Sequence, residues 1–163
     1  MMARVRLISL ILLLLPMRLL ALSSDSEQPI SVEADTLEIR DQENISIYQG
    51  NVSLIQGSLE IHSQRLVIYF NDARELILME MTGKPARFKL LDDEQREMRG
   101  HAGRINYTQS ESLLELLDDA RFSHAGDSIE GNLIRVNTET NSIQAGSSDS
   151  DQRVKMLIQP KAE

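Results

Sequence analysis

Leu59-Glu-Ile-His-Ser-Gln-Arg-Leu-Val-Ile-Tyr-Phe70 decides the fold. Its apolar residues alternate as Ile61, then Leu66 and Ile68, so the parity slips by one residue at the middle. Side chains on a strand alternate faces with period 2, so such a slip marks a bulge or corner inside one strand. Small Ser63 stands just before the slip, where a tight corner favours a small residue. The pattern recurs at Val32, Ala34, Leu37 and Ile39; at Met98, Gly100, Gly103 and Ile105; and at Ile129, Gly131, Ile134 and Val136. Successive copies are 29, 37 and 31 residues apart. A repeat of this kind stacks similar units side by side.

Working outward, turn residues punctuate the chain at 41–44, 50–51, 56–57, 71–74, 82–85, 92–95, 109–111, 124–127 and 139–141. Short alternating runs between them read as strands; Gly50-Asn51 and Thr82-Gly-Lys-Pro85 read as breaks, and the strand from Ser112 is read to end at Leu117 before another starts at Ala120. Glu111 to Asp119 has helix-favouring residues, but its place in the repeat predicts a strand, and tertiary context overrides propensity. With no long helix to cover a sheet, the apolar rows are buried sheet against sheet. The expected fold is therefore all-β: an elongated sandwich or jelly roll of short antiparallel strands built from repeated units. Its first strand, Ile30 to Ala34, and its last, around Val154, Met156 and Ile158, are expected at opposite ends as edge strands.

The N-terminus reads as an address. Arg4 and Arg6 precede the apolar run Leu7 to Leu15, and Ala21-Leu-Ser23 offers small residues for cleavage. Pro16 and Arg18 keep the apolar run short of the ~20 residues a membrane span needs. Residues 1–23 are thus expected to be a cleaved secretory signal, 24–160 one domain and 161–163 a tail. The chain has no cysteine, which excludes a lipid anchor on cysteine and any disulfide framework. Of its 17 basic residues, Arg4, Arg6 and Arg18 leave with the signal; 14 then face 25 acidic ones, a formal charge of −11. Such a surface repels nucleic acid.

Catalytic and metal chemistry finds no support. Gly126-Asp127-Ser128 has no histidine after it to serve as base, and it reads as a turn into a strand. His62, His101 and His124 lie on different strands, read as surface or turn-flanking residues. The runs Asp92-Asp-Glu94 and Asp149-Ser-Asp151 lack calcium-loop spacing and read as solvated turns. No enzyme, metal or cofactor is expected.

Five blocks in order carry a resemblance. They are Gln28-Pro-Ile-Ser-Val-Glu-Ala34; Gln49-Gly-Asn-Val52 with Gln56-Gly57; Gly83-Lys-Pro-Ala-Arg-Phe88; Glu97-Met-Arg-Gly-His-Ala102 with Tyr107; and Arg153 to Pro160. Together they resemble the OstA-like family of periplasmic lipopolysaccharide-transport proteins. The resemblance implies a Gram-negative periplasmic bridge, folded as a twisted, open β-jelly roll, that stacks head to tail. It would join an inner-membrane transport complex at the N-terminal edge to an outer-membrane translocon at the C-terminal edge. It also implies lipid contact at Ile30, Val32, Phe88 and Tyr107. Read from the residues alone, few aromatics and many Leu, Ile and Val suit a smooth apolar lining, and exposing acyl chains to water costs ~0.8 kcal/mol per methylene. The competing readings are a β-sandwich adaptor with a closed core, and a relative in the same pathway that keeps residues 7–22 as an anchor.

Overall fold

A computed structural model of the chain describes residues 28–92, 94–146 and 153–160. The expected signal segment, Asp93, the Asp149-Ser-Asp151 run and the tail lie outside the described residues. Ten strands form one antiparallel sheet: β1 (Ser31–Glu33), β2 (Thr36–Arg40), β3 (Ile45–Gln56), β4 (Leu59–Phe70), β5 (Leu76–Leu91), β6 (Glu97–Thr108), β7 (Leu113–His124), β8 (Asp127–Asn137), β9 (Ser142–Ala145) and β10 (Lys155–Leu157). Its order is β1-β3-β4-β5-β6-β7-β8-β10, with β2 beside β3 and β9 beside β8. The segment with helical propensity contributes a short 3-10 turn, Gln109–Glu111, and then β7.

Every pairing between long strands breaks register near mid-strand: at Gln49/Val52, His62/Arg65, Thr82/Ala86, His101/Arg104 and Leu117/Ala120. The breaks line up, and the sheet folds over along that line into two facing layers. This corrects the sequence reading at three places. Gly50-Asn51, Thr82 to Pro85 and Asp118-Asp119 do not separate short strands; they are the corners of β3, β5 and β7. A sheet can fold only along a line that crosses all its strands, so the antiparallel partners of the bent repeat must bend too. Asn51, Asp118 and Asp119 take positive φ there, a conformation in which Asn and Asp are enriched. The first copy of the repeat goes further and breaks into β1 and β2. Asp35 closes that break on the β3 corner, with its N–H donating to the Gly50 carbonyl (2.9 Å) and its carboxylate accepting from Asn51 Nδ2 (2.9 Å).

Each layer is a set of cross-strand rows. One inward row runs from Val32 through Ile61, Phe88, Gly100 and Phe122 to Met156. The facing layer has a row from Leu37 through Leu66, Met81 and Leu116 to Ala145. The middles of these rows form the core, in which Leu54, Leu66, Ile105, Leu116 and Ile134 are buried. The apolar slip inside each strand is what lets one strand point inward in both layers.

Candidate functional site

The two layers meet along the corners and diverge toward the strand ends. Between them lies an apolar cavity of about 840 Å³. One layer supplies Leu59, Ile61, Phe88 and Leu90; the other supplies Leu76, Met79, Ile105, Tyr107 and Leu114. Polar groups sit at its rim, and Glu75 is the one charged side chain among the described lining residues, held by Asn71 Nδ2 at 2.8 Å. Such a cavity can enclose hydrocarbon and leave a polar head at the rim.

Phe88 is placed by sterics. Its row neighbour is Gly100, and beyond Gly100 lies Phe122. The two rings meet over the glycine with centroids 6.4 Å apart and planes 27° apart. A Cβ on Gly100 would lie 2.5 Å from Phe88 Cε1 and 2.8 Å from Leu116 Cδ2 of the facing layer. Read from the sequence, Gly100 relieves the corner; in the fold it also makes room for these two rings.

At one lip of the groove the β5–β6 turn is clasped to β7. Asp92 accepts from the Arg96 N–H (2.8 Å), the Glu94 N–H (2.9 Å), Arg96 Nε (2.8 Å) and His124 Nε2 (2.8 Å). The expectation of a solvated turn fails for Asp92, whose side chain is only 8% exposed. Burial is the largest influence on its carboxyl and raises the pKa. The hydrogen bonds from the Arg96 N–H, His124, the Arg96 guanidinium and the Glu94 N–H together outweigh it and hold the pKa well below the usual carboxylate range.

Ile30, Phe88 and Tyr107 line the cavity. Val32 does not line it; it packs on the core from β1. Leu59 and Leu76, which alternation alone does not mark as site residues, line the cavity from the first positions of β4 and β5. Val154, Met156 and Ile158 are exposed at the β10 end, but the strand itself spans only Lys155–Leu157. Ile30 likewise precedes β1, and each layer has its own edges, so β2 and β9 are terminal strands too. Of the histidines, His62 and His101 face outward on one layer, while His124 serves the clasp. Asp127, from the Gly-Asp-Ser triplet, accepts from the Gln159 N–H (2.9 Å) and ties down the segment after β10.

Residues 31–142 match the family model described as LptA/(LptD N-terminal domain) LPS transport protein. The chain is 29% identical over 149 residues to the lipopolysaccharide export system protein LptH of Pseudomonas aeruginosa, covering 87% of this chain and 85% of that one. It is 28% identical over 143 residues to the lipopolysaccharide export system protein LptA of Escherichia coli K12, covering 86% and 76%. The crystal structure of LptH, described as the LptA-homologous periplasmic component of the lipopolysaccharide transport device of P. aeruginosa, superposes with a TM-score of 0.77 at 26% identity. The match spans 85% of this chain and all of that one. With this fold, this open apolar groove and a family match over most of its described residues, the chain belongs to the LptA/LptD N-terminal-domain family of lipopolysaccharide-transport proteins.

Proposed function

We propose that this chain carries lipopolysaccharide through the periplasm, with the acyl chains in the groove and the sugars outside. The observation that carries this reading is the apolar cavity of about 840 Å³ between the splayed layers. A closed adaptor would need no such opening. Phe88 and Tyr107 are the groove residues that touch lipid, with Ile30 near the N-terminal end. The protein is exported by its leader, residues 1–23, which is then removed.

Copies add end to end, and the same ends meet the inner-membrane complex and the outer-membrane translocon. Inward rows end on exposed residues: Leu37 and Ile39 on β2, and Ile143 on β9 with Met156 on β10. Strand addition would continue the rows from one copy into the next and cover all four. The two ends differ, so the contact does not close and it propagates as a rod.

A photoreactive residue at Phe88 or Tyr107 tests the groove. Lipopolysaccharide should label at both positions and not at Glu94, in the turn outside it. Equal labelling at all three would reduce the signal to nonspecific adhesion, and a folded protein labelled at none would favour the closed adaptor.

A further inference from the structure

The outer face of the layer that carries Phe88 gathers Arg87, Lys89, Arg99 and Arg121, on a chain whose formal net charge is −8. His62 faces Arg87, Arg87 faces His101, and His101 faces Arg121, each as a direct cross-strand partner. Two imidazoles thus alternate with two guanidinium groups along the row, and beyond Arg121 the row continues to Glu130. Glu60 lies 2.7 Å from His62 and pairs with Lys89 (2.9 Å), Glu97 pairs with Arg99 (3.3 Å) and Glu130 with Arg121 (2.8 Å), but Arg87 makes no ion pair among the described residues. One row nearer the lip, Lys89 faces Arg99. His62, Arg87, Lys89, Arg99, His101 and Arg121, together with Glu60, line a depression of about 740 Å³. It reaches the strand ends at Glu97 and His124, and Phe88 lines both this depression and the groove.

We propose that this depression is a second binding site, for a phosphate group carried on a sugar, held by Arg87 and Arg121 above His101. It deepens the groove reading and rests on it: the occupant is the phosphorylated, water-exposed part of the glycolipid whose acyl chains lie in the groove. Arg87 and Arg121 stand two strands apart, roughly 10 Å at ~4.8 Å per strand, so both guanidinium groups can converge on one anion between them. Guanidinium matches phosphate as a two-pronged donor and is weakly hydrated, which favours such pairing in a partly enclosed depression. His101 is half-buried. Burial lowers its pKa, Arg87 and Arg121 lower it further, and Glu130 opposes them. A bound anion offsets the two arginines and raises it, so the imidazole reports occupancy.

The test is an NMR titration of the isotope-labelled protein, expressed with its own leader, against inorganic phosphate, glucosamine 6-phosphate and a hexaglutamate peptide. Glucosamine 6-phosphate should bind more tightly than phosphate, shift the Arg87 and Arg121 side-chain resonances, and raise the His101 titration midpoint. Arg87→Gln and Arg121→Gln should each weaken binding roughly tenfold, the scale of one lost charge-assisted hydrogen bond. Arg87→Lys should restore part of the loss, and Arg135→Gln on the other layer should change nothing. Equal binding by wild type and both Gln variants overturns the site. Tighter binding of hexaglutamate than of either phosphate overturns it in favour of an acidic protein partner. Tighter binding of inorganic phosphate than of the sugar phosphate removes the sugar from the proposal. Crosslinking at Tyr107, which lines the groove and not the depression, uses none of these arginines, so the two readings fail distinguishably.

Discussion

β4 and the β1–β2 pair carry the same pattern and meet opposite fates. In β4, Leu66 and Ile68 are 0% and 3% exposed; their counterparts in β2, Leu37 and Ile39, are 52% and 58% exposed. The residue types and spacing are alike, and both pairs point to the same side of their layer. What differs is company. β4 lies between β3 and β5, whereas β2 has a single strand neighbour, β3, among the described residues. An apolar row is buried by its neighbours, so the same pattern that builds a core at mid-sheet leaves an adhesive edge at the end. Edges of this kind are usually blunted by charge or a bulge. Here Glu38 and Arg40 face outward and pair with each other at 2.6 Å, leaving Leu37 and Ile39 uncovered.

Substitution should break the equivalence of these two regions most clearly. Leu66→Ala should destabilise the protein by about 3 kcal/mol, while Leu37→Ala at the matching position should change monomer stability by less than ~0.5 kcal/mol. Chemical denaturation of dilute protein measures both, and similar losses would mean that the end row is covered in the monomer. Gly100→Ala follows in size, because the added methyl drives into Phe88 and Leu116. Overpacking typically costs ~1–3 kcal/mol, and lipid crosslinking at Phe88 should fall with it.

The clasp at the lip should be sensitive to acid. The Asp92 carboxyl has a lowered pKa in the fold, so its contribution is present above the unfolded value of about 3.8 and is lost as pH falls below it. Asp92→Asn should lower the urea midpoint at pH 7, and the gap from wild type should shrink toward pH 2.5. A constant gap across that range would show that the loss is steric and not ionic. The effect smallest in stability is largest in assembly. Leu37→Lys with Ile39→Lys should leave the melt nearly unchanged and abolish concentration-dependent elongation in sedimentation velocity, as should deletion of residues 153–163. A double lysine variant that still elongates would place the contact elsewhere.

Much was legible in the chain itself. The apolar slip at Ser63, Gly100 and Gly131 announced bent strands, because period-2 alternation cannot change phase without a corner. The repeat also outweighed the helical propensity of 111–119, since a helix there would have left the neighbouring rows of β6 and β8 unpaired. The edges at β1 and β10 followed from chain order, as each unit adds beside the last. The clasp was hidden, because Asp92 and His124 are 32 residues apart and look like ordinary turn residues. The continuity of β3, β5 and β7 was hidden too, because Gly50-Asn51 and Thr82 to Pro85 use the same residues to bend a strand as to end one. Alternation set which residues face inward, a local property of the backbone. Tertiary structure alone decided which inward residues are buried, which line the groove, and that His62, Arg87, His101 and Arg121 stand in one row, because register and neighbours exist only between strands.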